Sequence, residues 1–498
     1  MEDRGWRIVN RISKIQSQIV NRKLKKVLLV NCNTEKAPYP IPPLGLCLLS
    51  ASLEDRWEVS IYDCMFGEDI GLVDRVLQFN PDYIGFSIRN IDNTMPDNCV
   101  YYVHDQVSRI ILPVKKITSA KIILGGSGFS IFPQELMKLT QADYGIIGEA
   151  ENAFYQLLNI LDKEEDVLPF GNVLVCSATN GRNAYKYFQP GLFSDRFSEI
   201  DRKIDFTPYR EIGAYSIQTK RGCSHGCIYC TYPFLEGTAF RTRKPEDIVE
   251  EIEQAHDRLG DIMFEFVDST FNDPRGHAEA ICRGIIRRKL RVRLRTMGIN
   301  PRNSNEELFK LMMEAGFVQI DATPDTASPT LLANLRKGFE LHEVRQMATA
   351  IRKFNLPTMW FFLFGGPGEN EDTFKETLDF IDQYINPEDL VYMASGLRIY
   401  PNTPLETIAM QEQVIKPGQS LLYPPLFYFS KGISRDRLVQ LILEATTKRF
   451  NCIYSAETRP PLEMLKEAQQ LRAEQQLNEP MFRSLLRIRK KWKAKGLL

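Results

Sequence analysis

Three cysteines stand at positions 223, 227 and 230 in the run Cys223-Ser-His-Gly-Cys227-Ile-Tyr-Cys230, where thiolates at this spacing can share one metal centre. A closed zinc site wants four ligands, so His225 or a remote side chain would have to complete the set, and the second half of a zinc-finger pattern is absent. An iron-sulfur cluster is also usually held by four thiolates, yet a four-iron cluster on three leaves one iron open to an external ligand. That open iron is a place for chemistry. The other seven of the ten cysteines, Cys32, Cys47, Cys64, Cys99, Cys176, Cys282 and Cys452, are scattered among apolar neighbours and read as small core residues.

The elements that must position this group form two alternating series. At 498 residues the chain is long enough for two or three domains. From 26 onward short apolar runs alternate with helical patterns: KVLLVN (26–31), EVSIYD (58–63), DYIGFSI (82–88), KIILGG (121–126) and DYGIIGE (143–149). Such runs suit a parallel sheet covered on both faces, and predict a doubly wound domain over 25–161. Ligands in that architecture bind beyond the carboxyl ends of the strands, which selects Asp63, Ser87, Arg89, the Gly125-Gly126-Ser127-Gly128 turn and the Gly148-Glu149 turn. No G-x-G-x-x-G follows the first strand, which argues against an ordinary dinucleotide site.

A bridge over 162–210 leads to the second series, with strands expected at AYSIQT (214–219), IMFEFV (262–267), VRLRTM (292–297), FVQID (317–321), TMWFFLF (358–364) and SGLRIY (395–400). Between the first two, Ile248, Ile252, Ala255 and Leu259 fall on one face of a helix begun near Pro245. Six units over 211–430 predict an open (β/α)6 barrel with its chemistry at the carboxyl ends of the strands, where the three cysteines fall. Gly365-Gly366-Pro367-Gly368-Glu369 ends the fifth strand, and Arg295, Asp321, Thr323 and Arg398 lie on or near strand ends. Residues 431–498 read as helices, ending in a basic, solvated stretch, and LLYPPLFYF (421–429) suits either a pocket lining or the core. Ile8, Ile12, Ile15 and Ile19 predict an amphipathic basic helix over 1–24 that docks on the protein's own core.

The cysteine run, with Tyr229 before its last cysteine, resembles the signature of the radical S-adenosylmethionine superfamily. The resemblance implies a [4Fe-4S] cluster on Cys223, Cys227 and Cys230 whose open iron chelates S-adenosylmethionine, cleaved by one electron to methionine and a 5′-deoxyadenosyl radical. It places Tyr229, Asp268, Arg295, Gly365, Gly366, Gly368 and Glu369 on the S-adenosylmethionine side, although Asp268-Ser269-Thr270 departs from the superfamily's glycine-glycine-glutamate motif. A doubly wound domain ahead of such a barrel is similar to the cobalamin-binding branch, which implies that Asp63, Ser87, Arg89, Gly125, Gly126, Ser127, Gly128, Gly148 and Glu149 serve cobalamin. The lower-ligand motif D-x-H-x-x-G is missing, since Asp63-Cys-Met-Phe-Gly-Glu carries no histidine. A cobalt without that ligand favours the nucleophilic Co(I) state, which accepts a methyl cation.

The resemblance therefore implies a cobalamin-dependent radical methyltransferase acting on an unactivated carbon or phosphorus of a small molecule, natural product or peptide. Flavodoxin or ferredoxin would donate the electron, and no catalytic acid or base is assigned. The alternatives are a radical cyclase, rearrangement or oxidation enzyme of the same branch, and a cobalamin-binding sensor with a structural metal. With 63 Lys+Arg against 63 Asp+Glu no net field calls for nucleic acid. Apolar runs are too short to span a bilayer and the charged start lacks a secretory stretch, so the expectation is a cytoplasmic protein without a transmembrane segment.

Overall fold

The computed structural model describes residues 24–67, 69–175, 197–457, 460–477 and 479–496, so the helix expected over 1–24 lies outside the described residues save for Leu24. Five parallel strands, β1 (Lys26–Asn31), β2 (Glu58–Asp63), β3 (Tyr83–Ser87), β4 (Lys121–Gly125) and β5 (Tyr144–Ile146), form the first sheet with an antiparallel edge, β6 (Val173–Val175), in the order β2-β1-β3-β4-β5-β6. The strand order reverses beside β1, so the crevice for a ligand opens at its carboxyl end. Asn31 lies in register with Asp63 and with Ser87, and Ser87 with Gly125, so the expected binding residues stand in one row across the sheet.

The second unit begins with β7 (Tyr215–Ile217) and the short antiparallel pair β8 (Lys220–Arg221) and β9 (Arg241–Thr242). It continues through β10 (Met263–Phe266), β11 (Arg293–Ile299), β12 (Phe317–Asp325), β13 (Thr358–Phe364) and β14 (Leu390–Ser395), which with β7 form the six parallel strands of the partial barrel. The sixth strand therefore precedes the expected SGLRIY. Gly396 turns the chain there, and the next pair, β15 (Leu397–Arg398), joins β16 (Phe427–Tyr428) in a separate antiparallel ribbon. The C-terminal region is not wholly helical either, because β17 (Cys452–Tyr454) adds to β14 as a seventh parallel strand.

TMWFFLF is apolar throughout, yet its burial alternates residue by residue. Trp360, Phe362 and Phe364 pack into the core under the helices, as do Phe264, Phe266, Leu294, Ile320, Val391 and Met393 on neighbouring strands. With side chains alternating along a strand, Glu265, Arg295, Asp321, Phe361 and Tyr392 face the barrel interior. Below, Met359 packs with Leu390, Phe482 and Leu486, so the basic helix Met481–Ala494 seals the floor rather than standing free in solvent. Buried Arg483 anchors it to Asp389 at 2.9 Å.

The two units share one apolar core. Leu28, Val30, Phe86 and Phe129 of the first unit cluster with Ile228, Leu335, Leu397, Ile399 and Leu405 of the second, and with Leu421, Leu422 and Tyr428, so both ends of LLYPPLFYF join the core while Tyr423 in its middle is exposed. Within this joint Arg398 donates to Asp92 at 2.9 Å and to the carbonyls of Ile399 and Leu421 at 2.7 Å each, so this strand-end arginine makes a structural ion pair. Breaking such a pair leaves a charge buried alone, at a cost of about 3–5 kcal/mol. Arg398→Met is expected to lose stability of that order in urea unfolding. A loss below about 1 kcal/mol would show that the Asp92 pair is solvated, as exposed pairs are.

Candidate functional site

Backbone contacts fix the cysteine loop before any metal enters. Gly222 has φ +87°, and a Cβ there would fall 2.1 Å from the Ala239 carbonyl oxygen, so the approach to Cys223 requires glycine. Cys223 N donates to Gly237 O at 3.0 Å, Ile228 N to Leu335 O at 3.2 Å, and Leu405 N to Ile228 O at 2.9 Å. Two polar clamps hold the side chains. His225 Nε2 lies 2.8 Å from Asp273, and the Tyr229 hydroxyl donates to Asp325, whose carboxylate also takes Lys337 Nζ at 2.7 Å. Although burial disfavours its charge, Asp325, Tyr229 and Cys227 hold Lys337 protonated well above its usual range.

Cys223 is buried and Cys227 and Cys230 partly so, and none of them forms a disulfide. Burial pushes all three thiols up, and each of Cys223 and Cys230 is pushed further by a neighbouring cysteine of the trio. Three adjacent thiolates need a cationic core to stabilise them. Among the described residues no three such ligands are drawn around a single ion.

The turn after β13 is braced from within. Glu369, fully buried, accepts from Gly365 N at 3.1 Å and from the Thr373 hydroxyl at 2.7 Å, so its carboxylate shapes the turn instead of facing a nucleotide. Gly368 packs on Asn334, whose amide donates to Pro367 O at 2.9 Å. A Cβ on Gly366 would meet Leu335, the residue whose carbonyl also receives Ile228 N, at 3.1 Å, and one on Gly365 would meet Leu438 at 3.2 Å. Asp268 likewise turns inward, accepting from Thr219 N at 2.8 Å, Thr219 Oγ1 at 2.7 Å and Lys220 N at 3.2 Å. It braces the strand extension that leads to Cys223.

On the first sheet, Gly126 has φ +96° and a Cβ there would meet Ile88 O at 2.6 Å, whereas the nearest atom to a Cβ on Gly125 is 3.9 Å away. The turn thus hugs β3 on one side and leaves open backbone at the strand end. Ser87 is half-buried and Ser127 and Arg89 are exposed beside it. Gly148 N donates to Ser130 Oγ at 2.8 Å. Asp63 is a hub, accepting from Asn31 at 2.7 Å, from Met65 N at 3.0 Å and from the hydroxyl of Tyr209. Glu149 is claimed by Arg241, at 3.0 Å through Nη1, and by Arg221 at 3.5 Å, while Glu151 takes Arg221 Nη2 at 2.5 Å. Both carboxylates therefore bind the barrel, two residues before Cys223. Met65, at the position of the motif's absent histidine, is buried in the barrel-side core with Ile200, Phe206 and Tyr209.

Inside the barrel Arg295 Nε donates to Glu265 at 2.7 Å, and its guanidinium lies 3.8 Å from the ring of Tyr39, a residue of the first unit whose hydroxyl also donates to Glu265 at 2.6 Å. Asp321 accepts from Gln319 at 3.2 Å, and burial pushes its carboxyl up to about 7. Arg295 thus stands with Asp321 in the barrel interior, on strands away from the cysteine loop. Tyr39, Glu265, Asp325 and Lys337 were not assigned from sequence. A lysine beside Gly338 and an aspartate ending a strand were visible, but their convergence on Tyr229 is a product of the fold.

Residues 30–158 match the family description "B12 binding domain" and residues 217–381 match "Radical SAM superfamily". The chain belongs to the cobalamin-binding branch of the radical S-adenosylmethionine superfamily. It is an enzyme, and its cofactors are a [4Fe-4S] cluster, S-adenosylmethionine and cobalamin. It is 25% identical over 373 residues to an uncharacterized methyltransferase of Pyrococcus horikoshii, covering 72% of this chain and 78% of that one. It is 24% identical over 422 residues to a tryptophan 2-C-methyltransferase of Streptomyces laurentii, covering 72% and 70%. In fold it is similar to the radical S-adenosylmethionine methyltransferase TsrM from Kitasatospora setae, solved with cobalamin and a [4Fe-4S] cluster, with TM-score 0.78, 22% identity and 96% and 100% of the two chains covered. No described helix of this branch member is long and apolar enough to cross a membrane.

Glu369 gives the turn a pH signature. Burial raises its carboxyl to about 7 from 4.5, so the folded chain binds that proton more tightly than the unfolded one. The stabilisation is complete below pH 4.5 and is lost as pH rises through about 7, a span worth roughly 3 kcal/mol at most. Melting temperatures of Glu369→Gln are expected to fall less than those of the parent between pH 5 and 8. Parallel pH profiles would mean that Glu369 is ionised in the fold.

Proposed function

We propose that this enzyme methylates an unactivated carbon, or a phosphorus, of a small-molecule substrate held in the barrel chamber. The observation that carries the reading is the joint between the two cofactor regions: Ile228, between two of the cysteines, is buried in the core of the first sheet, and Arg221 ties the same loop to Glu149 and Glu151. A methyl carrier and a radical source held so close serve one reaction. The Streptomyces laurentii relative, named for methylating a carbon of tryptophan, is in keeping with a carbon acceptor.

When bound, the cluster supplies the electron that cleaves S-adenosylmethionine and cobalamin carries the methyl group. Cys223, Cys227 and Cys230 hold the cluster, with the Tyr229 ring and the backbone of Gly365 and Gly366 bordering the nucleotide. The backbone of Gly125, Gly126, Gly128 and Gly148, with Ser87, Arg89 and Ser127, cradles cobalamin. Asp63 and Glu149 act at one remove, the first by fixing Asn31 and Tyr209 and the second by docking the barrel. At the two ends of the fifth barrel strand Leu363 packs against the shared core and Met359 against the C-terminal helix, apolar contacts that would help keep water from a reactive centre. Free thiols and such a cluster suit a reducing cytoplasm, with flavodoxin or ferredoxin as the donor.

The test is anaerobic purification, with iron, sulfide and cobalamin measured, followed by turnover with S-adenosylmethionine bearing a deuterated methyl group and an extract of small molecules. Deoxyadenosine with a deuterium-labelled product is expected. Deoxyadenosine with an unlabelled product would replace methyl transfer by radical rearrangement or oxidation. Cys227→Ala is expected to lose the cluster's visible absorption while cobalamin stays bound, because the glycine cradle does not touch the thiol. Retention of iron and sulfide at parental levels would overturn the ligand assignment.

A further inference from the structure

The chamber contains charges that the chain itself does not satisfy. Arg295 spends Nε on Glu265, but its Nη2 is buried without a partner. A buried donor left unpaired carries its whole desolvation penalty, so a partner from outside the chain is the simplest explanation. On the next strand Asp321 is more than nine-tenths buried and accepts a hydrogen bond from Gln319, which is itself in register with Arg295. Glu265 already pairs with Arg295, so Asp321 is a buried carboxyl without a cationic partner among the described residues, on the strand next to an unused guanidinium edge. One step nearer the strand ends the inward positions are Met297, 38% exposed, and the half-buried Thr323. The facing wall carries Phe361 and Tyr392, half-buried, with ring centroids 5.3 Å apart.

An acceptor for Arg295, a cation for Asp321 and a flat apolar group for the Phe361 and Tyr392 wall describe one molecule. We propose that the barrel chamber binds a free aromatic α-amino acid, its carboxylate on Arg295, its ammonium on Asp321 and its ring against Phe361 and Tyr392. A zwitterion carries both charges on adjacent atoms, matching two residues that are diagonal neighbours on adjoining strands. A simple amine would leave the Arg295 edge unpaired, and a simple acid would leave Asp321 without its cation. Tyr39, stacked on the guanidinium and bonded to Glu265, holds Arg295 in place as a positioning residue contributed by the cobalamin-binding unit. This assignment rests on the proposed function only in taking the chamber as the substrate's place.

Binding rather than turnover tests it. Equilibrium dialysis of the anaerobic holoenzyme against L-tryptophan, L-tyrosine, tryptamine, indole-3-propionate and glycine varies one recognition element at a time without altering the protein. One of the two aromatic amino acids is expected to bind, with at least about tenfold weaker binding of tryptamine, of indole-3-propionate and of glycine. In Asp321→Asn the preference for the amino acid over indole-3-propionate should collapse, and in Arg295→Lys the preference over tryptamine should shrink. Neither aromatic amino acid binding, or tryptamine binding as tightly as tryptophan, overturns the proposal. The two readings fail separately: binding without a labelled product leaves this pocket standing while removing methyl transfer, and labelled product from a molecule lacking the zwitterion does the reverse.

Discussion

Everything else in this molecule is built around a short loop that belongs to two cores at once. The cysteine segment carries the three thiols proposed to hold the cluster, yet Ile228 in its middle is fully buried in a core shared with the first sheet, and its backbone is bonded on both sides to Leu335 and Leu405. Close packing tolerates little displacement, so the loop's position is fixed by the docking of two whole domains and not by local turn chemistry alone. Gly222, forced by the Ala239 carbonyl, sets the direction from which the chain enters. The placement of the cysteine loop against the first sheet is thus a property of the interface.

That interface is specified by charge as much as by apolar contact. Arg398 with Asp92, and Arg221 with Glu151, are buried pairs that cross it, while Tyr39 reaches from one unit to Glu265 in the other. Buried ion pairs contribute little net stability against apolar substitutes, but a misdocked arrangement would leave each charge alone, at a cost of several kcal/mol. They select one mutual orientation of two domains from many that would bury similar area. Arg295 and Asp321 stand apart from this pattern, being buried charges whose mutual arrangement leaves hydrogen-bonding capacity unused.

Much of the fold was legible because its strands are short, apolar and separated by strong helical patterns: KVLLVN, EVSIYD and TMWFFLF are strands at the bounds read from sequence. The misplacement of the sixth barrel strand has a local cause, since LVYMAS and LRIY are both largely apolar, strand-like runs and only Gly396 separates them. β17 was hidden because three residues between helices carry no periodicity. The cysteine trio was legible as a candidate metal centre from its spacing, its aromatic neighbour and its place after a barrel strand. What spacing could not reveal is which polar residues at strand ends face a ligand: Asp268, Glu369, Asp63 and Glu149 all sit where expected, and all turn their carboxylates toward protein. Strand-end position names a neighbourhood, whereas the hydrogen-bond partner decides the role.

The burial of Met65 bears on how cobalt coordination could change within this architecture. Because that side chain is buried in the same core as Ile200, Phe206 and Tyr209, a histidine at position 65 would set an imidazole among largely apolar neighbours, where its ring nitrogens would each need a partner. Gaining a lower ligand would require the whole β2 turn to be rebuilt and its seat in the barrel vacated. Retrofitting one residue is closed off by the way the two domains meet.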